Sequence, residues 1–224
     1  MRAHTTAPGA AAARSGAALI AIGTVLIGVL HLIPPTSAIS PVYRTISEYG
    51  LTDLAWAFNL GVLAIAAGSL VLGVTLARLG RLSPPAAAFG ALWVAGLTVL
   101  VVFPKHNWAI GPSASGQVHR MASLVAFLAL PLALMLLARR AGLSPDRRVF
   151  WFGPAALLWF VPIVVAVALQ PVLSSGWWTI IPLGLVERGL ALTEVIGLVV
   201  LGWRVPAQLP VASRAAGSAN MVLP

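Results

Sequence analysis

The chain has 224 residues, of which 59% are apolar and only 8% charged, with a formal net charge of +9. Such a composition excludes an ordinary soluble domain and points to a membrane protein; its basic residues lie between apolar runs, where they set orientation, so nucleic acid is excluded as a partner. The absence of cysteine excludes disulfides, thiolate catalysis and cysteine-held metals.

In chain order, residues 1–16 are polar and Ala-rich and read as a disordered cytoplasmic tail. Residues 17–33 form the first apolar span, closed by Pro34 and Pro35; its length and the lack of a small-x-small site after it favour a retained span over a cleaved signal peptide. The loop 36–53 follows, with Thr45 and Glu48 spaced as a capping box and Arg44 and Glu48 as an i, i+4 pair, which predicts a short surface helix. Asp53 is placed to cap the second span, 54–77, with Trp56 at interface depth. The third span, 86–103, carries Ala87, Ala91 and Ala95 as a ladder of small residues suited to close helix packing in lipid.

A loop with Lys105, His106 and Trp108 leads to the fourth span, 118–138, which places His119 and Arg120 in its first turn. The fifth span, 149–169, is expected to bend at Pro162. Trp177 and Trp178 then form an aromatic belt, read as interface anchors. The sixth span, 183–203, is followed by a flexible tail over 204–224. The fold expected is an all-α polytopic membrane protein, a six-transmembrane-helix bundle in the cytoplasmic membrane. Its orientation follows from Arg2, Arg14, Arg78, Arg81, Arg139, Arg140, Arg147, Arg148, Arg204 and Arg214 on one side, against Arg44, Lys105, Arg120 and Arg188 on the other. The richer side is cytoplasmic, so both termini lie inside. The preponderance of Arg over Lys, with abundant Ala and Gly, fits a bacterial source.

The sixth span holds the chain's most unusual residue. Counted from Pro182, Glu194 falls near mid-depth, where an acidic side chain costs roughly 2.5 to 3.5 kcal/mol. It must therefore face the bundle interior, toward polar company. Gly184, Glu187, Ala191 and Glu194 share one stripe of that helix; Thr24, Gly28 and His31 share one of the first; His119 and Ser123 sit on the fourth, and Asn59 on the second. These residues are expected to line one outward-opening pocket for a small polar ligand, a lipid headgroup or a proton. A plainer alternative pairs Glu187 with Arg120 or Arg44 and leaves Glu194 as glue between helices.

Two histidines, His31 and His119, are too few to carry a haem reading, and no HExxH or HxxxH spacing supports zinc, so no cofactor or metal is expected. Ser47 with His119 and Glu48 lacks any nucleophile-elbow signature. The reading is of a non-enzymatic protein whose partners are the bilayer and a small polar ligand or lipid. The alternatives are an intramembrane lipid-modifying enzyme, or a subunit packed against another membrane protein.

Three stretches carry a resemblance. Thr45, Ile46, Ser47, Glu48, Tyr49 and Gly50, with Trp56, Phe58, Asn59 and Gly61 after them, resemble the first signature of a six-span prokaryotic family known as domain of unknown function 998. His119, Arg120, Met121 and Ala122, preceded by Phe103 and Pro104, are similar to its second; Glu187, Arg188 and Glu194 are similar to its third. The resemblance implies six membrane helices and lends Ser47, Glu48, Asn59, His119, Arg120, Glu187, Arg188 and Glu194 the status of signature positions. It implies no activity.

Overall fold

The computed structural model describes residues 8–138 and 147–205. Its elements are α1 (Pro8–Val29), α2 (Ala55–Arg78), α3 (Pro84–Val102), α4 (Ala114–Ala138), α5 (Arg147–Leu158), α6 (Val161–Leu169) and α7 (Leu183–Arg204), with no strand among the described residues. Five segments are long and apolar enough to cross a membrane: Pro8–Val29, Ala55–Arg78, Pro84–Val102, Ala114–Leu137 and Arg148–Val172. Helices of this number and length make the chain a multi-pass membrane protein. α7 has 22 residues and so reaches about 33 Å, but Glu187, Arg188 and Glu194 set its composition apart from those five.

Several local expectations need correction. The first helix begins at Pro8, so much of the supposed tail 1–16 is helix; Ala10, Ala13, Gly16 and Ala17 are buried, because α1 packs against α2 and α7. At the other end Val205 is buried, and the remainder of the C-terminal tail lies outside the described residues. So do Arg139, Arg140 and Asp146. α4 begins at Ala114 rather than 118. The bend expected at Pro162 is a full break: α5 ends at Leu158, tight turns join Trp159 to Ala156 and Phe160 to Leu157, and Pro162 sits in the first turn of α6, where its missing N–H costs nothing.

The surface helix predicted in the first loop exists as a 3-10 helix, Ile46–Leu51, but the Thr45 side chain makes no cap bond to it. Asp53 does not cap α2 either; Leu54 holds that position without a side-chain bond. Ser83 does cap α3, accepting from Ala86 N at 3.4 Å, with Pro84 next to it.

Apart from α6, the helices pack as a closed ring: α1 on α2, α2 on α3, α3 on α4, α4 on α5, α5 on α7 and α7 back on α1. What sets the closest approach is glycine. Gly16 and Gly23 are seven residues apart on α1, and Gly61 and Gly68 are seven apart on α2; the helices run antiparallel, so Gly16 meets Gly68 and Gly23 meets Gly61. A Cβ on Gly16 would lie 2.8 Å from Gly68 O, and one on Gly68 would lie 2.5 Å from Gly16 O. The backbones touch with nothing between them, a contact that gains in lipid because packing rather than water exclusion drives association there. The alanine ladder on α3 does not play this part. Ala91 and Ala95 are exposed, and with Ala87 they line a groove of about 410 Å³ between α2, α3, α4 and α7; the α3–α4 contact runs instead through Gly96, Ala122 and Ala126.

Two tryptophans make polar ties across helices. Trp93 Nε1 donates to Ser69 Oγ at 3.1 Å between α3 and α2, and Trp159 Nε1 donates to Thr193 Oγ1 at 3.2 Å between the α5–α6 turn and α7. Neither pair was legible beforehand, since each needs two side chains from separate helices at one depth.

Candidate binding site

The loops after α1, α3 and α6 meet at one end of the ring. The first of them, residues 40–50, lies as a strap across the start of α7. Leu185 N donates to Val42 O at 3.0 Å, and Ile46 N donates to Glu187 Oε2 at 2.6 Å. Arg188 does most of the fastening. Its NH1 donates to Pro41 O at 2.9 Å, Arg44 O at 2.7 Å and Gly184 O at 3.0 Å, and its NH2 to the Tyr49 hydroxyl at 3.1 Å. Its Nε donates to His31 Nε2 at 2.8 Å. Tyr49 is fully buried, with the His31 ring edge-on at 5.2 Å. A guanidinium suits this post because five donors in a rigid fork can hold several carbonyls at once.

The opposite face of the strap is pinned by Lys105, which follows α3. Lys105 Nζ donates to Thr45 Oγ1 at 2.7 Å and to Glu48 Oε1 at 3.2 Å, while Arg44 Nε meets Glu48 Oε2 at 2.7 Å. The i, i+4 pair read from the sequence is therefore formed, and Lys105 extends it to three charges. On this side lies a bowl of about 700 Å³, walled by Tyr43, Arg44, Thr45 and Glu48 from the strap, Lys105 and Trp108 from the α3–α4 loop, Arg120 from α4, and Trp177, Trp178 and Leu183. Arg120 is exposed, and its hydrogen bond goes to Gln117 on its own helix at 2.9 Å.

The expected pocket assembles only in part: Thr24, Gly28, His31 and Ala191 line a crevice between α1 and α7, but Glu194, Asn59 and His119 are not among its lining residues. His119 Nδ1 lies 3.0 Å from Leu100 O and 2.8 Å from Phe103 O; both are acceptors, so that nitrogen carries the hydrogen and satisfies carbonyls at the end of α3. His31 belongs to Arg188. Glu187 takes the strap amide rather than Arg120 or Arg44. Ser47 Oγ donates to Thr45 Oγ1 at 3.2 Å, away from His119. Asn59 is half-buried on α2 and joins none of these groups by a hydrogen bond among the described residues. Glu194 does face the interior, with no exposed surface, yet neither carboxyl oxygen has a hydrogen-bond partner among the described residues. Its stripe neighbours Leu190, Gly197 and Leu198 are buried. The polar company sits about 10 Å higher, seven residues along the helix at 1.5 Å each, and is used up at the strap.

Of the nine positions singled out in the sequence, Glu48 and Arg120 reach the bowl and Glu187, Arg188 and His31 reach the strap, whereas Lys105, Tyr49 and the three tryptophans were missed as site residues. The belt tryptophans were read as anchors; the structure gathers Trp108, Trp177 and Trp178 on one concavity. No three His, Asp or Glu side chains gather as metal ligands among the described residues.

Residues 19–204 match the family described as protein of unknown function (DUF998). This chain is a member of the DUF998 family. Neither a curated protein nor a solved structure matches it. The match takes in all of α2 to α7, the strap and the bowl, and in this DUF998 chain the positions singled out in the sequence divide by location. Those of the loop and the start of α7 build the strap, His119 ties α4 to α3, and Glu194 stands apart in the bundle.

Proposed function

We propose that this protein crosses the cytoplasmic membrane six times, with α7 as the last span and both termini inside. Its outer bowl binds a small phosphate-bearing ligand, as a lipid headgroup or as a free anion. The observation that carries the reading is the gathering of Arg44, Lys105 and Arg120 with three tryptophans around one opening of about 700 Å³, with Glu48 as the carboxylate among the lining residues. Three cations against one carboxylate leave the wall net positive, and Arg120 has guanidinium donors to spare. Tryptophan is the side chain that sits at headgroup depth, apolar toward the chains and polar toward water.

Binding rather than catalysis is favoured because the groups fit for acid–base work are engaged elsewhere: His31 and His119 by Arg188 and backbone carbonyls, and Glu187 by a backbone amide. The orientation rests on the arginine excess at the opposite end of the helices.

Two measurements test this reading. The chain has no cysteine, so single cysteines report cleanly: in intact cells a membrane-impermeant maleimide is expected to label Ser174→Cys and to spare Arg78→Cys, and the reverse pattern overturns the orientation. Tryptophan fluorescence of the purified protein, titrated separately with a short-chain phosphatidylglycerol and with inorganic phosphate, tells headgroup from free anion. Arg120→Ala is expected to weaken the ligand that binds by about 10-fold, the loss of one charge-assisted hydrogen bond of roughly 1.5 kcal/mol. No response to either ligand, or an unchanged affinity in Arg120→Ala, refutes the bowl as a binding site.

A further inference from the structure

We infer that His31 is a proton-sensitive latch that positions Arg188, and through it the strap forming one wall of the bowl. The consequence for ligand binding rests on the reading above; the release of the strap does not.

The hydrogen positions follow from the acceptors around the ring. His31 Nδ1 lies 3.2 Å from both Ile27 O and Gly28 O. Carbonyls only accept, so Nδ1 bears the hydrogen and Nε2 presents a lone pair, which receives Arg188 Nε–H at 2.8 Å. The contact therefore requires a neutral imidazole. Addition of a proton at Nε2 replaces an acceptor by a donor and sets a second positive charge against the guanidinium. Imidazole is the side chain whose ordinary titration lies between about pH 5 and pH 8.

The surroundings offer a second charge little relief. α7 presents Arg188, the 3-10 helix presents the edge of Tyr49, and α1 itself supplies the Ile27 and Gly28 carbonyls and Thr24. α2 contributes Ile65, which is apolar. No carboxylate is ion-paired with His31 among the described residues, and the nearby Glu187 gives Oε2 to Ile46 N. A crevice of about 310 Å³ between α1 and α7 reaches the ring past Thr24, Gly28 and Ala191, so the imidazole is not sealed in the bundle.

Arg188 has no freedom to move alone. The guanidinium that meets His31 also holds Pro41 O, Arg44 O and the Tyr49 hydroxyl. Displacing it from the imidazole pulls on all three, and thus on the segment that carries Arg44, Thr45 and Glu48 into the bowl. A closed strap at neutral pH and a loosened one in acid follow.

A nitroxide on Val42→Cys, in the otherwise cysteine-free protein, reads the strap directly by its spectral mobility. The expected result is an immobile label near pH 8 and a shift to the mobile form near pH 5. His31→Gln keeps an acceptor for Arg188 and does not titrate, so its label is expected to stay immobile at both values; His31→Arg is expected to be mobile at both. An immobile label at both pH values in the protein with native His31, or an acid response that survives His31→Gln, overturns the latch. Headgroup titration at the same two pH values separates the readings. Affinity lost in acid with native His31 but kept in His31→Gln joins latch to bowl, while a label that responds with no binding at either pH upholds the latch and refutes the bowl.

Discussion

Gly68→Val is expected to leave no folded protein. A Cβ at this position sits 2.5 Å from Gly16 O, 2.8 Å from Ile20 Cγ1 and 2.9 Å from Ile20 N. Two of those three atoms are backbone and cannot rotate away, so relief requires α1 and α2 to separate. That separation undoes the Gly23–Gly61 contact seven residues along, where a Cβ on Gly61 would already lie 3.0 Å from Gly23 O. Ordinary overpacking costs about 1 to 3 kcal/mol; losing two backbone contacts between α1 and α2 exceeds that. The control is Gly73→Ala on the same helix, where an added Cβ meets nothing within 4 Å. It is expected to be neutral or to stabilise by up to roughly 1 kcal/mol from helix propensity. Size-exclusion profiles and unfolding midpoints in mild detergent distinguish them, and a Gly68→Val protein that elutes and melts as the parent does would disprove the glycine contact.

Glu194→Met is expected to stabilise the protein by about 1 to 3 kcal/mol, the range associated with a buried polar group that finds no partner. The carboxyl has no exposed surface and no hydrogen bond among the described residues, and Leu190 and Leu198 flank it on its own helix. Methionine is of similar length and adapts to the space. Glu194→Gln keeps an unpaired polar group in the same place and is expected to give no such gain. Unfolding midpoints for the two variants settle the matter: a lower midpoint for the methionine form would mean that the carboxyl contributes to the fold. A rise makes Glu194 a group that the bundle tolerates at a cost, which in membrane proteins is a mark of use.

Glu194 also shows how far the sequence reaches. Its burial is expected from counting residues along an apolar run, because a bilayer penalises a carboxyl near mid-depth, and the structure does bury it. Its partners did not follow. The stripe of Gly184, Glu187, Ala191 and Glu194 is a true face of α7, but the histidines expected beside Glu194, His31 and His119, sit at the ends of other helices and are engaged there. The glycine pairs were legible in principle, since Gly16 and Gly23 repeat the seven-residue spacing of Gly61 and Gly68. Ala87, Ala91 and Ala95 gave a similar signal and proved to line an open groove. Small size permits close approach without choosing which neighbour comes.

What the sequence determined by itself was helix, membrane and the Arg44–Glu48 pair, with the interruption near Pro162 foreseen only as a bend. All of these depend on local spacing or on apolar content summed over one segment. Only the tertiary structure decided that Arg188 would fasten residues 41–49, that His31 would be its acceptor, and that Lys105 and three tryptophans from separate loops would share one bowl. Those contacts join residues up to 157 positions apart. They depend on the order of helices around the ring and on how far each helix slides against the next, which the apolar pattern of a single helix does not encode.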